Sequence, residues 1–132
     1  MMRNPYLITC FICLLLAGLS CKKGAVTTTG TFKGKIILMA CGTAAIDIEG
    51  PTGTGGGSVW VASSTNTYNN AVNVANYCYL ADQVAKTGYD ITFDITKDNS
   101  SVMPNCIVPQ CYIKGPGPNS SVYVSNVKKA GP

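Results

Sequence analysis

The chain has 132 residues, seven cysteines and no histidine, and ten Lys and Arg against six Asp and Glu give a formal charge of +4. That length allows one domain at most, and the missing histidine excludes every Ser-His or Cys-His nucleophilic site and every histidine-based zinc site. The basic excess is mild, with no cluster beyond Lys22-Lys23 and Lys128-Lys129, which is too little for a nucleic-acid-binding face.

In chain order, Arg3 is followed by Tyr6 to Leu19 (YLITCFICLLLAGL), 14 almost wholly apolar residues. A membrane-crossing helix needs roughly 20. The stretch is too short for that and has the form of a secretory signal's apolar region. Cys10 and Cys13 spell a redox-like C-x-x-C, but they lie inside this segment and would leave with it. Ser20, Cys21, Lys22 and Lys23 follow. An apolar run, small residues, a cysteine and an abrupt polar start resemble a bacterial lipoprotein signal. Gly18 stands where such signals commonly carry leucine, and Leu19 lies one residue nearer the cysteine. The Ser-Cys-Lys-Lys ending is similar to the looser boxes of Gram-negative lipoproteins. The resemblance implies a diacylglycerol group on the Cys21 thiol, cleavage before Cys21 and acylation of its new amino group. Each buried methylene contributes about 0.8 kcal/mol, so two or three acyl chains anchor a protein stably. With Lys22 rather than aspartate after the cysteine, the resemblance also implies the outer membrane, with the face left open. Residues 1–20 are thus read as signal peptide, 21–30 as a flexible tether and 31–129 as one domain. A polar, small-residue tether of this kind spans roughly 15–18 Å.

The rest reads as strands. Thr31 to Cys41 is rich in β-formers around Gly34; Ala44 to Glu49 alternates, with Ile46 and Ile48 on one face and Asp47 and Glu49 on the other. Gly50 to Gly57 (GPTGTGGG) is glycine-rich, but Ser58-Val59 follow in place of the Lys-Ser/Thr that a phosphate-binding loop requires, and a strand follows in place of a dinucleotide site's helix. It reads as a mobile hairpin loop. Ser58 to Ser63 is a third strand. In Tyr79 to Thr87, Leu80 and Val84 are spaced for one helical face ending before Gly88. Tyr89 to Thr96 (YDITFDIT) alternates most clearly, with Tyr89, Ile91, Phe93 and Ile95 inward. Ser121 to Val127 is the last strand, with Val122 and Val124 inward. Three strands, a short helix and two strands predict an all-β domain with one short helix, built as a five-stranded OB-like Greek-key barrel. A small β-sandwich with an extra strand in Asn69 to Tyr77 is the alternative.

Certain stretches resemble small, single-domain bacterial lipoproteins with OB-like barrels. They are Gly34-Lys35-Ile36-Ile37 with Cys41 and the Ile46/Ile48 strand, Tyr79 to Asp94, and Cys111-Tyr112-Ile113-Lys114-Gly115 before a valine-rich strand. That family has no assigned reaction, so the resemblance implies fold and address only. Besides Cys21, the exported part keeps Cys41, Cys78, Cys106 and Cys111. An even number in a small exported domain points to disulfides, and four cysteines allow three connectivities. The resemblance implies Cys41–Cys111, leaving Cys78–Cys106; Cys106–Cys111 with Cys41–Cys78 is the other pairing considered. A four-thiolate zinc site is the competing use of these residues, against which stand the spacing and an oxidising compartment.

Asp47/Glu49 and Asp90/Asp94 are same-face carboxylate pairs, the only material here for a small hydrolase, and such pairs are commonly the wet side of a sheet. Asp94, Asp98 and Asn99 lack EF-hand spacing. Asn66 to Tyr79 interleaves amides with Tyr68, Tyr77 and Tyr79, and Trp60 and Tyr112 join them as a set suited to sugars or peptides. The competing reading is that the tyrosines fill a small barrel and keep their hydroxyls wet. The sequence therefore predicts a lipid-anchored envelope protein without catalytic activity, metal or cofactor. It would be a binding module for an envelope protein or glycan through Trp60, Tyr68, Tyr77 and Tyr112, or else a purely structural lipoprotein.

Overall fold

The computed structural model describes residues 30–84, 86–96, 106–108, 111 and 117–131. The expected signal peptide, Cys21, the tether before Gly30, Asp98, Asn99, Tyr112 and the side chain of Val84 lie outside that set. What is described is mostly β. The strands are β1 (Gly30–Ala40), β2 (Thr43–Ile48), β3 (Ser58–Val61), β4 (Thr67–Val74), β5 (Asp90–Thr96) and β6 (Ser121–Lys129), and one helix, α1 (Tyr77–Val84), lies between β4 and β5. They form one sheet in the order β2-β1-β5-β6-β4-β3, and a further β2–β4 pairing closes β1, β2, β4, β6 and β5 into a ring. The β4–β6 contact is parallel (Asn73 with Ser121, Val74 with Val122). A five-strand ring with the helix between its third and fourth members is consistent with an OB-like fold.

One expected strand changes place. The sequence places the third ring strand at Ser58 to Ser63, but Ser58–Val61 lies outside the ring, paired among the described strands with β4. The third ring strand is Thr67–Val74, which overlaps the extra strand that the sandwich alternative places in Asn69 to Tyr77, although its asparagines are of a type depleted in strands. Asn70, Ala71, Val72 and Val74 are nevertheless buried. Asn70 tolerates burial because its amide is fully used, as described below.

β1 reaches two neighbours by curling. Its first half pairs with β5 (Gly30 with Ile95 through Lys35 with Asp90) and its second with β2 (Gly34 with Ile48 through Ala40 with Thr43). At the handover a Cβ on Gly34 would lie 2.6 Å from the Asp47 carbonyl oxygen and 2.8 Å from Ile46 Cγ2. The obstructing atom is backbone and cannot rotate away. Gly34→Ala should therefore cost about 2–3 kcal/mol by overpacking, read as a lower urea midpoint, while Lys33→Ala beside it should stay within about 0.5 kcal/mol. β1 and β2 join through Cys41 and Gly42, both at positive φ (54° and 74°), as a two-residue hairpin turn requires.

Ile36, Ile46, Val72, Leu80, Ile91, Phe93 and Val124 are fully buried in one core. Ile46 and Ile48 face inward as the alternation predicts, and so do Ile91, Phe93 and Ile95. α1 is too short to stand alone and is held by burying Leu80. Asn76, just before α1, continues where the parallel pairing stops. Its Nδ2 donates to the Val124 carbonyl (2.7 Å) and its Oδ1 accepts from the Val124 N–H (2.9 Å).

In β6 the two-residue alternation breaks. Val124 and Val127, three apart, are both buried, because the register against β5 slips between Thr92 and Asp94 and Asn126 takes φ 48°. Asp94 holds this bulge: Asn126 Nδ2 donates to its Oδ2 (2.7 Å) and the Thr31 hydroxyl to its Oδ1. The Asn126 bond, then the Thr31 bond and the charge of Lys128, hold the Asp94 carboxyl below its ordinary value of 3.8. A depressed carboxylate stabilises the fold above its unfolded pKa and loses that stabilisation as the pH falls through the folded one. At this surface site solvent screening keeps the effect below about 1 kcal/mol. The stability gap between wild type and Asp94→Asn should thus be present at pH 7 and shrink steadily below pH about 4, in denaturation midpoints measured across that range.

Candidate functional site

β3 and β4 form a hairpin whose turn is closed by its own bonds. Ala62 N–H donates to the Asn66 carbonyl (2.9 Å), and the Ser63 hydroxyl oxygen accepts from the N–H groups of Thr65 and Asn66. The register sets Trp60 directly across from Tyr68. Their rings stack with centroids 5.7 Å apart and planes 22° from parallel, an arrangement that aromatic pairs favour. Both are half-buried, and neither belongs to the core cluster. Beside them Val59 and Val61 are 53% and 65% exposed.

Of the other aromatic residues expected at a site, Tyr77 begins α1 and packs against the core, as do Tyr79 and Tyr89. The expectation that tyrosines fill the interior holds for these three, and of the expected site residues described, Trp60 and Tyr68 are the two whose rings meet. Tyr112 lies outside the described residues.

The glycine-rich loop is not the free hairpin loop expected. Thr54–Gly56 forms a 3-10 turn, and Gly55 is buried, its α-carbon so placed that a Cβ would meet Ile48 Cδ1 and Ile95 Cδ1 at 2.9 Å. Asn70 clamps this turn from β4. Its Nδ2 donates to the carbonyls of Ile48 and Thr54 (3.1 Å each), and its Oδ1 accepts from Gly53 N–H (2.9 Å). The Thr52 hydroxyl adds a bond to the Asn69 carbonyl (2.7 Å). Loop backbone next to a core needs such partners, and a short amide on the facing strand supplies them. The sequence signal was present as the Asn69-Asn70 pair, but its target was not.

Three of the four carboxylates, Asp47, Asp90 and Asp94, have structural partners. Asp90 makes an exposed ion pair with Lys35 (3.7 Å), and Asp47 Oδ1 accepts from Asn70 N–H (3.3 Å). Asp94 is bonded on both oxygens and shifted downward, the opposite of the shift a general acid needs. Lys129 Nζ sits 4.4 Å over the Tyr89 ring.

Cys41 is joined to Cys111 and Cys78 to Cys106, the pairing that the lipoprotein resemblance implied. The four-thiolate zinc alternative falls with it, because the four sulfurs are bonded to one another. Both bridges fasten the long connection between β5 and β6, one to the β1–β2 turn and one to α1. Among the described residues no helix is long and apolar enough to cross a membrane. In comparison with known proteins, the chain matches no family model and no curated sequence.

Proposed function

We propose that this protein is a lipid-anchored binding module of the cell envelope, in which Cys21 carries the anchor and the β3–β4 hairpin meets the partner, an envelope protein or a glycan. The observation that carries the binding surface is the Trp60–Tyr68 stack, which joins β3, outside the ring, to the start of β4 and adds nothing to the core cluster. A chain with ten aromatic residues outside its single tryptophan has other means of filling its interior, and Tyr77, Tyr79 and Tyr89 serve there. The pair offers a flat apolar surface, and Asn66, in the turn that leads into Tyr68's strand, is exposed. Aromatic faces bordered by hydrogen-bonding side chains suit a sugar ring or an extended peptide. Two disulfides accord with an oxidising compartment outside the cytoplasm.

The surface is tested by crosslinking and pull-down from intact envelopes with wild type and the Trp60→Ala, Tyr68→Ala double variant. Loss of the captured partners with an unchanged melting midpoint is the expected result, and an unchanged set of partners defeats it. The anchor is tested separately by metabolic fatty-acid labelling and intact mass. Label and added mass should be present in wild type and missing in Cys21→Ala, whose domain still folds.

A further inference from the structure

β3 is the strand at which the described sheet ends. The β2–β4 pairing closes the ring, and among the described strands β3 pairs with β4 on one side only. The ladder tells what the other side offers. Ala62 N–H donates to the Asn66 carbonyl (2.9 Å), two residues beyond the Trp60–Tyr68 pair. Bonded and non-bonded pairs alternate along an antiparallel ladder. Trp60 and Ala62 therefore turn their main-chain groups toward β4, and Val59 and Val61 turn theirs away from it. The two valines are also 53% and 65% exposed, on the face opposite Trp60, since side chains alternate along a strand.

An outward row of N–H and C=O groups is a template for another strand, and sheet edges are commonly guarded by lysine or proline. Ser58 to Ser63 (SVWVAS) has neither, nor any charge, although β1 and β6 expose Lys33, Lys35, Lys128 and Lys129. The symmetry of the segment singles out a second copy as the strand that fits. It reads Val-Trp-Val about Trp60, and the two residues with outward main-chain groups stand one on each side of that centre. An antiparallel copy on a two-fold axis at Trp60 sets Val59 opposite Val61 of the second copy, and Val61 opposite its Val59. Both pairs then fall in the bonded class, in which each pair exchanges both N–H···O bonds. The valines of the two copies cover one another on one face, and on the other the Trp60–Tyr68 stack continues into its own image. A two-fold contact brings groups near the axis against their own copies, so a charge there would meet its like; the segment has none.

We infer that β3 pairs with β3 of a second copy of this chain, antiparallel about Trp60, and makes one sheet continuous across two molecules. Few residues meet, so the dimer is a weak one, with Kd on the order of 100 µM. The inference does not depend on what the aromatic pair binds. The full-length protein, in a detergent matched in density to the buffer, is followed by sedimentation equilibrium from about 10 µM to about 1 mM. It should pass from monomer to dimer and stop there. In a mixture of isotope-labelled and unlabelled protein, filtered NOEs should connect Val59 of one copy with Val61 of the other. Val61→Pro removes an N–H that β4 does not use, which an edge position tolerates, and Val61→Lys places a cation on the edge. Each should weaken dimerisation about tenfold or more while the amide spectrum stays that of the folded chain. A monomer over the whole range, larger oligomers, NOEs that place another surface between the copies, or equal dimerisation by the folded variants overturns the inference. Both variants keep the rings of Trp60 and Tyr68, so failure of this pairing and failure of the aromatic surface in the pull-down are read separately.

Discussion

Replacing Cys41 and Cys111 together with serine should lower the stability of the domain by about 4 kcal/mol. The two residues are separated by 70 positions. A crosslink over so long a loop removes much of the unfolded chain's freedom, in the chain-entropy account. The Cys78–Cys106 bridge closes 28 positions and should contribute slightly less, about 3.5 kcal/mol on the same relation. Either loss is a large share of the 5–15 kcal/mol that small domains typically have. β5 ends at Thr96 and β6 begins at Ser121. Cys111 and Cys106 fasten the connection between them to the β1–β2 turn and to α1. Urea denaturation of the two paired variants under non-reducing conditions checks the ranking. A larger effect from the 28-residue bridge would show that native contacts of the connection, rather than loop entropy, set the contribution.

Asn70→Val should cost about 3 kcal/mol. The substitution keeps a β-former on β4 and similar bulk, so the loss is one of hydrogen bonds. Asn70 is 1% exposed, and without its amide the carbonyls of Ile48 and Thr54 and the N–H of Gly53 lose their side-chain partner. Each buried polar group left unsatisfied costs about 1–3 kcal/mol, and some of the three will be rewetted at the loop. Thr52→Ala, which removes an exposed bond to the same strand, should stay within about 0.5 kcal/mol. Hydrogen exchange locates the damage. The Gly53 and Gly57 amides should exchange faster in Asn70→Val by more than the global loss explains, whereas exchange at Ile91 and Phe93 should follow global stability alone. Uniform acceleration would mean that the clamp belongs to the core's cooperative unit.

The two asparagines of the interior show where sequence reading stops. Ile91, Phe93 and Ile95, like Ile46 and Ile48, declare their faces by alternation, because a strand's two-residue period is local and water sorts its sides. Asn70 and Asn76 look like loop residues by the same criterion. They are buried because they satisfy backbone groups 22 and 48 positions away, and no window of sequence contains both partners. The bulge in β6 is of the same kind. Local alternation would turn Asn126 inward after Val124, but Asp94, 32 positions earlier, draws it out, and Val127 takes the buried place. The aromatic residues divide likewise. Their types were legible, but whether a tyrosine fills the core or faces a partner depends on register, which set Trp60 against Tyr68 and laid Tyr77 on the core.

The β composition, the short helix, the alternating strands and the presence of two disulfides were thus determined by sequence alone. Each follows from the order of apolar and polar side chains, or from a count of cysteines. The closure of the ring, the choice of β4 over β3 as its third member and the clamped glycine turn were decided by tertiary structure. These depend on which distant backbone donors and acceptors meet. Hydrophobic order says which residues leave water, but it does not say which backbone groups they must satisfy once inside.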